Sequence, residues 1–166
     1  LFLLFHRCKD DGHNTKTKDL MRPGHADFTA TQKYHGFADY RGGGHFSGRL
    51  TTPLVAVGAI LIQALQKKGI YIGSHIASCG PIKDRSFVDY VEDIAKVNEH
   101  VFPVLDEQVA EEMQRYIEQI AAEGDSVGGV LETVVTGMPS GVGEPWFDSV
   151  ESMLAHGLFS IPAVKG

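Results

Sequence analysis

The sequence predicts an α+β fold, and three features point to it. Residues 52–65 are helical in period and apolar on nearly every side. Asp106 opens a second helix with a single apolar face, and Ile70–Cys79 and Val127–Thr136 have strand character. Helices and strands are mixed without the strict βαβ rhythm of a parallel sheet, which favours α+β over α/β. With 166 residues, 43% hydrophobic and 22% charged, the chain has the length of one domain and an ordinary globular composition.

Leu1–Phe5 is a continuous apolar run that reads as a buried strand, and the polar stretch Arg7–Asp19 reads as loop. Met21–Leu50 shows no helical period and holds Pro23, Gly24, Gly36 and the triplet Gly42-Gly43-Gly44, so its backbone is expected to be shaped around something. Thr52 is a fitting N-cap with Pro53 in the first turn, and Lys67-Lys68-Gly69 gives a basic last turn and a glycine stop. Between them Leu54, Val55, Val57, Ile60, Leu61, Ile62 and Leu65 leave almost no polar face, which predicts a helix buried on all sides. Ile70, Ile72 and Ile76 mark a strand to Cys79. Ser86 is expected to cap a helix with Phe87, Tyr90, Val91, Ile94 and Val97 on one face. The helix from Asp106 sets Val109, Met113, Tyr116, Ile117 and Ile120 on its face and stops at Gly124, where Gly124–Gly129 leads into the next strand. A Gly- and Pro-rich loop, Gly137–Pro145, precedes a last helix bearing Val150, Met153, Leu154 and Leu158. The chain begins at Leu1 and stops at Gly166 without a tail, so 1–166 reads as the central part of a single, longer domain.

A net charge of −6, from 15 basic and 21 acidic residues, disfavours nucleic acid or an anionic membrane as partner. Two cysteines, Cys8 and Cys79, cannot build a disulfide framework, so a reducing cytoplasm is the expected location. The most apolar stretch, Leu54–Leu65, falls short of the ~18 residues of a membrane span. There is no phosphate-loop signature, no C-x-x-C pair and no histidine pair at metal-ligand spacing.

Chemistry is concentrated between Arg22 and Arg49. In Arg22-Pro23-Gly24-His25-Ala26-Asp27 a turn at Pro23-Gly24 can make Arg22 and His25 converge. An arginine fork suits phosphate or carboxylate, and imidazole exchanges a proton near neutral pH. A plain turn with a solvated arginine and a surface histidine is the competing explanation. Arg41-Gly42-Gly43-Gly44-His45-Phe46-Ser47-Gly48-Arg49 can form an anion nest with a hydroxyl and a second cation, or a flexible turn before a helix. An anionic ligand would supply the partner that Arg49 needs. Ser160-Ile161-Pro162-Ala163 is an apolar loop that could lie against a flat ring or simply pack. The remaining histidines, His75 among them, read as surface or core residues, and Cys79 as a small buried one.

Taken in order, these segments resemble chorismate synthase. The resemblance rests on Arg22–Asp27, Lys33-Tyr34, Asp39–Gly44, Ser47-Gly48-Arg49, Val57-Gly58-Ala59, Gly124–Gly129, Pro139–Pro145, Ala155-His156 and Ser160-Ile161. It implies helices sandwiched between antiparallel β-sheets, here incomplete, and a homotetramer when complete. It also implies loss of phosphate and a ring proton from 5-enolpyruvylshikimate 3-phosphate to give chorismate. Reduced flavin mononucleotide is the implied cofactor, with NADPH as one source of its electrons. By resemblance His25 is the catalytic proton donor to the reduced flavin, while Arg22, Ser47 and Arg49 hold the phosphorylated substrate. His45, Phe46, Ser47, Pro162 and Ala163 fall where the family contacts flavin. Much of the family has Arg-Ser where this chain has His45-Phe46, so a fixed cation becomes a titratable ring. The family's Gly-Glu-Ser-His-Gly segment and its Lys-Pro-Thr stretch have no counterpart in these residues. A non-catalytic module that keeps the scaffold to bind an anion or flavin is the alternative.

Overall fold

The computed structural model describes residues 19–166. The expected strand Leu1–Phe5, most of the loop Arg7–Asp19, and Cys8 lie outside the described residues. In chain order the elements are α1 (Asp27–Lys33), short 3-10 helices at Arg41–Phe46 and Gly48–Leu50, and α2 (Thr51–Gln66). Then come β1 (Tyr71–Cys79), β2 (Ile82–Lys83), α3 (Tyr90–Glu99), α4 (Glu107–Ala122), β3 (Gly129–Thr136), a 3-10 turn at Trp146–Asp148 and α5 (Val150–Phe159). The α+β class is what the structure has, and one antiparallel sheet is present among the described residues. The described residues divide into two compact units, 19–57 with Val150–Gly166, and Gly58–Ser149.

In the Gly58–Ser149 unit the sheet order is β2-β1-β3, antiparallel throughout. β1 pairs with β3 from Tyr71 opposite Thr136 to Cys79 opposite Gly129, with a bulge between Ile76 and Ser78. β1 serves two clusters. Gly73 and Val134 meet Phe87, Ile94, Val97 and Leu105; Ile76 and Cys79 meet Val104 and Met113. Gly73 is required by close approach, since a Cβ there would lie 2.9 Å from Ile94 Cγ1 and 3.2 Å from its Cα.

α4 forms as its sequence predicts. The Asp106 carboxylate accepts from Gln108 N, Met113 is fully buried, and Gly124 ends the element in the left-handed region at φ +76°. α3 starts later than expected. Asp89, not Ser86, is its cap, accepting from Val91 N and Glu92 N at 3.0 and 3.1 Å. A carboxylate reaching two amides outcompetes a serine three residues earlier, and Ile94 and Val97 turn inward while Tyr90 and Val91 stay exposed.

Buried Asp93, on α3, is satisfied by Arg85 Nη1 (2.9 Å), Arg85 Nη2 and Val88 N (3.0 Å). The Arg85 guanidinium holds this carboxyl far below the usual carboxylate range, against the opposing effect of burial. A folded-state value below the unfolded one means the contribution is complete above the unfolded pKa of about 3.9 and is lost as pH falls through the folded value. Asp93→Asn is therefore expected to be less stable than the parent at neutral pH, with the gap closing below about pH 4. Urea midpoints measured across that range would show a constant gap if the pair contributed nothing.

α2 departs from expectation twice. Its first turn is preceded without a break by the Gly48–Leu50 turn, so the cap is Ser47, whose Oγ accepts from Arg49 N, rather than Thr52. The continuous stretch Gly48–Gln66 is 19 residues with mean hydropathy 1.5, long and apolar enough to cross a membrane by length and composition. The leading turns from Gly48 carry the apolar stretch beyond the Leu54–Leu65 expected from sequence. Nor is the helix buried: no residue of α2 is, and Leu54, Val55, Val57, Ile60 and Leu61 are all about half or more exposed. An apolar surface states what a helix can bury; neighbours decide whether it does, and the described residues do not cover this one. α5 likewise has no buried residue, with Met153, Leu154 and Leu158 exposed.

Candidate active site

Pro23 and Gly24 turn the chain as the sequence predicts: His25 N donates to Arg22 O, and Gly24 sits at φ +73°. The turn runs into α1, an element that the sequence reading of Met21–Leu50 did not contain. Asp27 stands in its first turn, where a carboxylate suits the helix dipole. Its carboxylate accepts from Arg22 N (3.0 Å), Arg22 Nε (2.8 Å) and Arg22 Nη2 (2.9 Å). Hydrogen bonds from Arg22 hold the Asp27 carboxyl well below its ordinary range and raise the guanidinium in turn. Thus Arg22, expected to hold substrate, has two of its three side-chain nitrogens turned onto Asp27.

His25 joins this pair. Its Nδ1 donates to Asp27 Oδ1 at 2.7 Å, the ring being partly buried. Arg22 Nη2 lies 3.1 Å from Nδ1 and 3.5 Å from Nε2, alongside the ring. Two donors cannot bond each other, so Nη2 bonds Asp27 while Nδ1 keeps its proton.

The glycine-rich segment folds as a 3-10 helix over Arg41–Phe46, with Gly43 and Gly44 buried at φ +85° and +52°. A Cβ on Gly44 would strike the Asp39 carbonyl, and one on Gly43 would sit 3.4 Å from His25 Nε2 and 3.5 Å from Ser47 Cβ. Gly43 therefore lies beside both the His25 ring and Ser47, joining the two segments that the sequence singled out. His45 and Phe46 are exposed. Arg49 is exposed and has an interaction within the chain. Pro162 and Ala163 lie in an exposed turn after α5, Ala163 in the left-handed region at φ +71°.

Sequence reading missed a second cluster. His75 on β1 is fully buried; Nδ1 donates to Asp84 Oδ2 (2.9 Å) and Nε2 to Glu132 Oε2 (2.8 Å), with Phe87 edge-on at 4.9 Å. Asp84 also accepts from the amides of Arg85, Leu105 and Asp106. With both nitrogens bonded, this ring is a tie between β1, β3 and the start of α4. Among the described residues no group of three His, Cys, Asp or Glu side chains could hold a metal ion.

A family model described as chorismate synthase matches residues 5–166. The chain belongs to the chorismate synthase family. A chorismate synthase of Pyrococcus abyssi is 43% identical over 157 residues, which is 95% of this chain and 43% of the relative. That of Thermococcus gammatolerans is 40% identical over 99% of this chain and 45% of its own length. That of Paraburkholderia xenovorans is 44% identical over 96% and 42%. A solved structure, "Crystal Structure of Chorismate Synthase", superposes with a TM-score of 0.70 at 28% identity over 82% of this chain and 44% of that one. The chain thus spans less than half the length of the chorismate synthases it matches. Both segments of the candidate site fall inside the family match.

Proposed function

We propose that residues 1–166 form the central part of a single chorismate synthase domain whose enzyme eliminates phosphate and a ring proton from 5-enolpyruvylshikimate 3-phosphate to give chorismate. The observation that carries this reading is that Gly43 lies beside both the His25 ring and Ser47, because it brings two separate motifs side by side. A phosphate leaving group requires cations and a proton-holding group fixed in one geometry. Arg22 and Arg49 supply the cations, Ser47 a hydroxyl, and His25 the proton.

The donor set also suits reduced flavin mononucleotide. His45 offers a donor to its phosphate, Phe46 a flat apolar face, and Ser47 a hydroxyl; the turn at Pro162 and Ala163 adds an apolar edge. When bound, the flavin lends electron density to the substrate and recovers it, with NADPH as one possible electron source. The enzyme works as a homotetramer in the cytoplasm, with α2 as an internal layer rather than a membrane span and with no nucleic acid partner.

The test is anaerobic turnover with reduced flavin and substrate, following phosphate. A protein carrying this span at the length of its relatives is expected to release phosphate, and the 166-residue span alone is not. Flavin binding without phosphate release by the longer protein would support the binding-module alternative. Arg49→Lys is expected to weaken substrate affinity about tenfold, because a point charge does not replace a planar fork. Affinity equal to the parent's would leave Arg49 with only its partner inside the chain.

A further inference from the structure

We propose that Asp27 is the positioning residue of His25: locked by the Arg22 guanidinium, its carboxylate fixes the proton on Nδ1 and leaves Nε2, beside Gly43, as the only ring atom that exchanges a proton with a ligand. This rests on the assignment of His25 to proton transfer and adds to it the atom, the tautomer and the residues that impose them.

The geometry runs in one direction. Arg22 grips Asp27 through its backbone N, Nε and Nη2, between 2.8 and 3.0 Å, so the carboxylate has little freedom to rotate. Its Oδ1 lies 2.7 Å from His25 Nδ1. An ionised carboxylate is an acceptor only, so that bond exists only while Nδ1 is protonated. The same bond persists whether the ring is neutral or cationic, and the change of charge takes place at Nε2. Nε2 has Arg22 Nη2 at 3.5 Å, the outer limit of a hydrogen bond, and it lies 3.4 Å from where a Gly43 Cβ would be. Gly43 faces that side of the ring with no side chain of its own, while Nδ1 is gripped by Asp27. Arg22 then acts chiefly through Asp27, with its third nitrogen, Nη1, left for a ligand.

The experiment reads the ring directly. Two-bond proton–nitrogen couplings of the His25 imidazole, in protein labelled at histidine, distinguish protonation at Nδ1 from Nε2 without any need for activity. In the parent, neutral His25 is expected to carry its proton on Nδ1; in Asp27→Asn the proton is expected to move to Nε2. In a protein carrying this span at the length of its relatives, turnover of Asp27→Asn is expected to fall roughly 10- to 100-fold with substrate KM little changed, the pattern of a misoriented acid–base group. The same change made in His25→Ala is expected to cost almost nothing further, because Asp27 acts through a ring no longer there. A parent ring protonated at Nε2 overturns the proposal even if Asp27→Asn fails to fold, and so does an equal loss of turnover in both backgrounds. Full turnover in His25→Ala with Nδ1 protonated in the parent would instead overturn the catalytic assignment of His25 and leave its orientation by Asp27 standing.

Discussion

Replacing His25 by alanine is expected to lower turnover by roughly 10²-fold or more in a protein that carries this chain at the length of its relatives, the usual scale for a positioned acid–base group. The ring is partly buried and its neighbours are a glycine and a solvent-facing ion pair, so the fold should survive its removal. Flavin and substrate affinity should change much less than turnover, because in the proposed reading the anions are held by arginines and the hydroxyl of Ser47. Single-turnover rates alongside equilibrium binding separate the two quantities. A folded mutant with parental turnover would remove His25 from the chemistry.

The largest expected effect on stability is at His75, far from that chemistry in the sequence. His75→Leu takes the donors away from two carboxylates at once, one of them, Asp84, with a side chain fully shielded from water. Breaking a buried ionic network by removing one partner costs about 3–5 kcal/mol. That is a large share of the roughly 5–15 kcal/mol by which a domain is stable. Glu132→Gln should be milder, since that carboxylate is partly solvated. Chemical denaturation of parent and mutants checks both; a loss below about 1 kcal/mol for His75→Leu would mean the ring merely fills space.

The legible parts of the fold were those whose signals are local. α4 announced itself by an aspartate cap, an apolar period and a glycine stop, all inside one window, and β1 by its isoleucines. α1 was hidden because only Ala30 of its seven residues is buried, so no apolar stripe betrays it. His75 was unreadable for a different reason. Its partners lie 9 and 57 residues away, and only the antiparallel register that sets His75 opposite Glu132, with the short β2 hairpin delivering Asp84, brings them to one ring. At the candidate site the motifs carrying Arg22, His25, Ser47 and Arg49 were visible in sequence. The role of Asp27 was not, although it stands within the same motif, because residue type alone does not reveal which way a carboxylate turns. Nor could the sequence show that Arg49 has a partner inside the chain.

The sharing of β1 between two apolar clusters has a consequence for how this part of the molecule comes apart. One cluster packs at Gly73 of β1 and Val134 of β3 and the other at Ile76 and Cys79 of β1, so the two share one floor. Losing α3 strips the support from the stretch holding Gly73 and His75; losing α4 does the same around Ile76 and Cys79. The two stretches are consecutive in β1 and share one ladder with β3, so support lost on one side weakens the strand on which the other helix rests. Residues 71–136 are therefore tied into one cooperative block, in which a local opening large enough to free either helix is close in free energy to complete unfolding of the block.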